Sequence, residues 1–174
     1  MKILKFKKQS KDKYKLYLDN NSDITLYEDV IIKNNLLITK EISDELLEAL
    51  KKQNNDMYAY TLALGYISVK MRSIKEINDY LIKKGFNNLV ANKVSERLIK
   101  EGYLNDLKYT KSFINDSMNL TNKGPQKIKM ELIKYGVNKD IIESEIALID
   151  QKKVEEKLNK LIDKELKIKK GSQN

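Results

Sequence analysis

The chain has no cysteine, no histidine, one proline and only six glycines among its 174 residues. Without cysteine there is no disulfide framework, no thiolate nucleophile and no cysteine-ligated metal, and the usage fits a reducing cytoplasm. Without histidine the commonest general base and metal ligand is missing. An active site of Asp, Glu, Lys, Tyr and Ser would remain. Yet the acidic pairs Asp44/Glu45 and Glu155/Glu156 sit in lysine-rich helical patterns, where a solvated face is the ordinary reading. The few glycines form neither a Walker-type loop nor a Gly-x-Gly-x-x-Gly fingerprint. No run of about 18 apolar residues exists to span a membrane. The opening MKILKFKKQSKDK is basic but lacks the apolar stretch of a secretory signal. The expectation is a non-enzymatic protein with no cofactor, no metal and no membrane contact.

What is present is charge. Lys and Arg number 34 against 25 Asp and Glu, a formal net charge of +9, with 41% hydrophobic residues. Such an excess speeds encounter with polyanions without identifying one, and general lysine-rich usage inflates the total. Its distribution says more. Residues 1–15 hold seven lysines and one aspartate, and Lys123, Lys127, Lys129 and Lys134 face Glu131 alone within 123–134.

The first stretch reads as strands. Leu4 and Phe6 alternate with Lys5 and Lys7, then Tyr14, Leu16 and Leu18 with Lys15 and Tyr17, a half-buried hairpin around a polar break. A third short strand over Ile24–Tyr27 and a short helix over Glu28–Asn34 follow. Ser43 caps a helix to about Lys52, and Gln53-Asn54-Asn55 marks the expected boundary, with Asp56 capping the next helix. Ser73 with Glu76 forms a capping box, and that helix stops at Gly85. Asn87 or Asn88 opens another, ending at Gly102. Then the plan returns: Asn105 or Asp106 opens a helix, Gly124-Pro125 starts the next, Gly136 stops it, and Asn138 opens the last.

LIKKGFN at 81–87 matches LIKYGVN at 132–138, an offset of 136 − 85 = 51 between the glycines, and Ile77 and Leu81 fall on Ile128 and Leu132. The expected architecture is mainly α: tandem three-helix, helix-turn-helix-like repeats behind a small β-rich segment. The expected divisions are 1–54, a first repeat at 55–104, a second at 105–149, and at 150–174 the first helix of a third, carrying Val154, Leu158, Leu161 and Leu166.

These residues resemble the RecX family. RSIKEINDYLIKKGF (72–86), ERLIKEGYLND (96–106), YTKSFI (109–114) and KGPQKIKMELIKYGV (123–137) match its motifs in order and spacing across 56–149. The resemblance implies tandem three-helix repeats and function by binding. RecX proteins lie in the groove of the filament that the RecA recombinase forms on single-stranded DNA. They inhibit its ATPase, strand exchange and co-protease activities, tempering DNA repair by recombination and the SOS response. Weak direct DNA binding is a further expectation. Family members usually complete three repeats, which puts the reach of a shorter array in question.

Most motif residues build the repeat. Gly85, Gly102 and Gly136 serve as helix stops with positive φ. Phe86, Leu104, Tyr109 and Phe113 stand at core spacing, as do Ile128 and Leu132. Tyr103 belongs to the same motif, Ser73 and Asp106 are caps, and Gly124 with Pro125 starts a helix. Function falls instead to a cationic ridge: Arg72, Lys75, Lys83 and Lys84 in the first repeat, with Lys123, Lys127, Lys129 and Lys134 in the second. Phosphate contacts from such a ridge are salt-dependent and blind to sequence. Arg72 has a planar fork suited to a carboxylate or phosphate, or to an internal ion pair. Two other readings stay open: a helix-turn-helix DNA-binding regulator, and a helical-repeat scaffold for another protein.

Overall fold

The computed structural model describes residues 1–171. Three strands, β1 (Ile3–Lys8), β2 (Lys13–Leu18) and β3 (Asp23–Tyr27), form an antiparallel meander in the order β1-β2-β3. Phe6 lies opposite Leu16, and Leu16 opposite Ile24, so period-two alternation turns one face inward. That face packs on α1 (Glu28–Lys33), on the single turn α2 (Leu36–Thr39) and on the start of α3 (Asp44–Val69), burying Leu16, Leu26, Leu36, Ile42 and Leu50. The chain start is stitched in place: the Met1 ammonium donates to the Ile42 carbonyl at 2.9 Å, and Ile42 N–H returns a bond to Met1.

α3 corrects one expectation. It runs unbroken for 26 residues through Gln53-Asn54-Asn55, and Asp56 caps nothing there but pairs with Lys93. The polar triplet is helical because its side chains dock the sheet. Asn54 accepts from Tyr27 N–H at 2.9 Å and donates to the Thr25 carbonyl, while Gln53 meets Asn34. A cluster of amides that reads as a loop is here the seam between sheet and helix. α3 therefore serves two cores, ending the first at Leu50 and opening the second at Ala59, with Met57 against both.

The second half of α3 with α4 (Ile74–Lys83) and α5 (Asn88–Lys100) makes the first three-helix unit. Ala59 and Ala63 allow close approach, and Ile77, Leu81, Val94 and Leu98 fill the centre. The second unit comprises α6 (Asp106–Leu120), α7 (Pro125–Lys134) and α8 (Lys139–Ala147), around Ile128, Leu132 and Ile142. α9 (Gln151–Gly171) follows, with Leu158 and Leu166 more than half exposed. Ser73, Asn87, Asn105 and Asn138 each accept a backbone N–H as N-caps. Gly85, Gly102 and Gly136 all adopt positive φ after a helix. Tyr103 is exposed rather than packed, and its motif position is served by its N–H, which bonds back to Leu98. No helix among the described residues is long and apolar enough to cross a membrane.

Candidate cationic groove between the repeats

The N-terminus of α4 is where the two units meet. Ser73 is fully buried, and its hydroxyl accepts from Glu76 N–H while donating to the Tyr135 carbonyl of the second unit at 2.7 Å. Asp106 is a cap, though not of its own helix: its carboxylate accepts from Ile74 N–H at 2.9 Å, across the junction. Burial raises the Asp106 pKa, opposed by that backbone bond. Glu76 joins the same knot by accepting from Ser73 N–H, completing the capping box. The Tyr109 hydroxyl is pushed upward by burial and by its proximity to Glu76, so it remains a protonated donor.

Arg72 is the main departure from the expected ridge. Its side chain is only 12% exposed, with its guanidinium 3.7 Å above the Tyr66 ring and Nη1 3.3 Å from Glu76. The other arginine is held alike: Arg97 lies 3.7 Å over the Tyr60 ring and reaches Glu101 at 2.8 Å. Tyr60 itself donates to Glu101 at 2.5 Å, and burial with that bond lifts its pKa to about 12. Both arginines are clamps on α3, each stacked on a tyrosine and paired four residues on. The internal ion pair therefore accounts for Arg72.

The remaining cations divide. Lys123 is bound to Glu131 at 2.6 Å, and Lys129 to Glu143 at 3.2 Å. Lys75 pairs with Asp79, and its methylenes lie against Gly136. Lys127 is exposed with no ion-pair partner among the described residues, but it stands outside the groove that the others share. Lys83, Lys84 and Lys134 also lack a carboxylate partner among those residues, and all three open onto that groove, of about 650 Å³. Lys75, Glu76 and Asp79 complete its polar wall, while Tyr66, Tyr80 and Tyr135 form its floor. Tyr66 and Tyr80 stack face to face at 4.1 Å between centroids, 9° from parallel. The ridge thus becomes a groove that spans both units, smaller than expected and lined with aromatic rings. The tyrosines escape a reading of the sequence because Tyr66 and Tyr80 stand on separate helices and Tyr135 follows a third, and only packing of α3, α4 and α7 brings them together.

Such a groove can hold an anionic, extended partner: three unpaired ammoniums supply charge, while Tyr66, closed on its two faces by Arg72 and Tyr80, offers the groove its edge. Among the described residues no group of three Asp or Glu side chains is placed to hold a metal ion.

Comparison with known proteins agrees with the two three-helix units. The RecX first three-helix domain matches residues 59–98, and the RecX second three-helix domain matches residues 105–144. The chain is 40% identical over 157 residues to the regulatory protein RecX of Streptococcus uberis, covering 90% of this chain and 60% of that protein. It is 35% identical over 173 residues to RecX of Streptococcus agalactiae serotype V, covering 97% and 67%. The chain thus spans about 60 to 67% of the length of these two relatives. Among solved structures, a regulatory protein RecX superimposes with a TM-score of 0.84 at 24% identity, over 94% of this chain and 81% of that one, a likeness of fold. RecX from Lactobacillus salivarius gives 0.61 at 30% identity, over 64% and 73%.

Proposed function

The chain belongs to the RecX family of regulatory proteins, and from that premise we propose that it binds the RecA–single-stranded-DNA filament and restrains it. The effect is lowered ATPase, strand exchange and co-protease activity, hence a brake on recombinational repair and the SOS response. It works in the cytoplasm by occupancy and not by catalysis. The observation that supports a filament target is the inter-repeat groove, where Lys83, Lys84 and Lys134 from two successive units stand free over a tyrosine floor. A partner that is itself a repeating, negatively charged array meets such a surface at several points. Each contact is weak alone in salt, and their sum is not. The divisions 1–54, 55–104, 105–149 and 150–174 describe this reading's working parts, the middle two supplying the groove.

The test is the single-stranded-DNA-dependent ATPase rate of the cognate RecA, titrated with this protein at two salt concentrations. Inhibition well below one molecule per RecA protomer is expected, weakening as salt rises. Lys83→Glu, Lys84→Glu and Lys134→Glu together are expected to raise the inhibitory concentration at least tenfold while circular dichroism stays helical. Unchanged inhibition by that triple variant removes the groove from the mechanism. No inhibition, with footprinting on a specific duplex, favours the helix-turn-helix reading.

A further inference from the structure

The outer face of the N-terminal sheet carries a second cationic pattern, on elements that take no part in the groove. In the strand register Lys5 lies opposite Tyr17, Lys7 opposite Lys15, and Tyr17 opposite Asp23. With Phe6, Leu16 and Ile24 turned to the core, alternation sends Lys5, Lys7, Lys15 and Tyr17 to the opposite face. Asp23 is the one carboxylate in that register, and Lys15 already holds it at 3.1 Å. Lys5 and Lys7 are exposed and have no ion-pair partner among the described residues. The ammonium of Lys15 stands 5.4 Å from the centroid of the Tyr17 ring.

We propose that this face binds single-stranded nucleic acid, with Lys5 and Lys7 on phosphates and a base stacked on Tyr17. Tyr17 lies across the strands between Lys5 and Asp23, and a ring beside unpaired lysines is of use to a strand whose bases are free to stack on it. In a duplex those bases face each other and the ring is idle. An acidic protein segment would use the lysines alone and leave Tyr17 without a role. The proposal stands apart from the filament reading, because it involves none of Lys83, Lys84 and Lys134.

The experiment is fluorescence anisotropy of a labelled oligothymidylate with the full chain, across a salt series, with duplex DNA and polyglutamate as competitors. Replacing Lys5 and Lys7 by Gln is expected to reduce the slope of log affinity against log salt by about 1.4, near 0.7 for each phosphate that is no longer neutralised. Tyr17→Leu is expected to weaken binding roughly fivefold or more, and Tyr17→Phe, which keeps the ring, to bind like the natural chain. The triple Gln variant at Lys83, Lys84 and Lys134 is expected to keep its oligothymidylate affinity. The proposal is overturned by an unchanged salt slope in the Lys5/Lys7 variant, by equal weakening in Tyr17→Leu and Tyr17→Phe, or by equally strong competition from polyglutamate. Loss of binding only in the groove variant would overturn it too, and would leave the filament reading intact.

Discussion

The two junctions of this array use the same place in the repeat with opposite charge. At the first, Asp106 reaches back from α6 to the N-terminus of α4 and accepts from Ile74 N–H. At the second, Lys157 stands 157 − 106 = 51 residues further on, the offset of the repeat. It reaches back from α9 and donates to the carbonyls of Ser117, Met118 and Lys123 at 2.8 to 3.1 Å. The helix that follows explains the reversal. The counterpart of Ile74 is Pro125, which has no N–H to give, so the bond that Asp106 accepts has no equivalent there. A lysine finds instead the carbonyls of Ser117 and Met118 in the last turn of α6, where the helix dipole favours a cation, and that of Lys123 in the loop beyond it. A repeat thus keeps the position of a clasp while its chemistry follows whichever backbone groups the neighbouring helix leaves open.

The comparison can be broken most severely from the groove side. Gly136 sits at φ +74, and a Cβ there would lie 2.5 Å from Lys75 Cδ, whereas Gly85, at φ +95, has nothing within 4 Å. Gly136→Val is expected to cost about 2 kcal/mol or more and Gly85→Val about 1 kcal/mol, read by urea denaturation. Equal destabilisation at the two glycines would mean that Lys75 simply moves aside. Next comes Asp106→Lys, which copies the second junction's charge into the first. It should lose about 2 kcal/mol, part from the missing cap and part from a cation against a helix N-terminus. Lys157→Met should lose only about 0.5 kcal/mol, since that contact is partly solvated; a loss as large as Asp106→Lys would deny the asymmetry.

The smallest effect is a dependence on pH. Burial raises the Asp106 pKa in the fold, so the folded chain holds its proton more tightly than the unfolded chain does. The stability from that proton is full below the ordinary value of 3.8 and is lost as pH rises through the folded pKa. Asp106→Asn keeps an acceptor without the charge. It should match or exceed the natural chain at neutral pH and forfeit that advantage in acid, measured as urea midpoints across pH. An advantage growing as pH falls would refute the assigned shift.

Much of the fold was legible because its signals are short in sequence. The capping box at Ser73 and Glu76, the glycine stops and Pro125 at a helix start all depend on residues within four positions of one another. The expected boundary at Gln53-Asn54-Asn55 shows the limit: three amides look like a loop until the edge of β3 arrives to use them. The candidate site was half legible. Lysine counts located Lys83, Lys84 and Lys134, but the same counts also selected Lys123 and Lys129, whose charge is taken by Glu131 and Glu143. Arg72 reads as a surface residue because an arginine ahead of a helix cap is ordinarily exposed. Its burial comes from Tyr66, on a helix that the local pattern does not connect to it.

By itself the sequence determined the period of 51, the helix starts and stops, and which apolar residues face inward, since backbone preference and side-chain alternation act over a few residues. Tertiary structure alone decided which cations remain free, that Asp106 caps a helix of another unit, and that three tyrosines share one floor. Some of the partners are near in sequence, as Glu131 is to Lys123, and others far, as Ile74 is from Asp106, and which of them is met is chosen only when the helices pack.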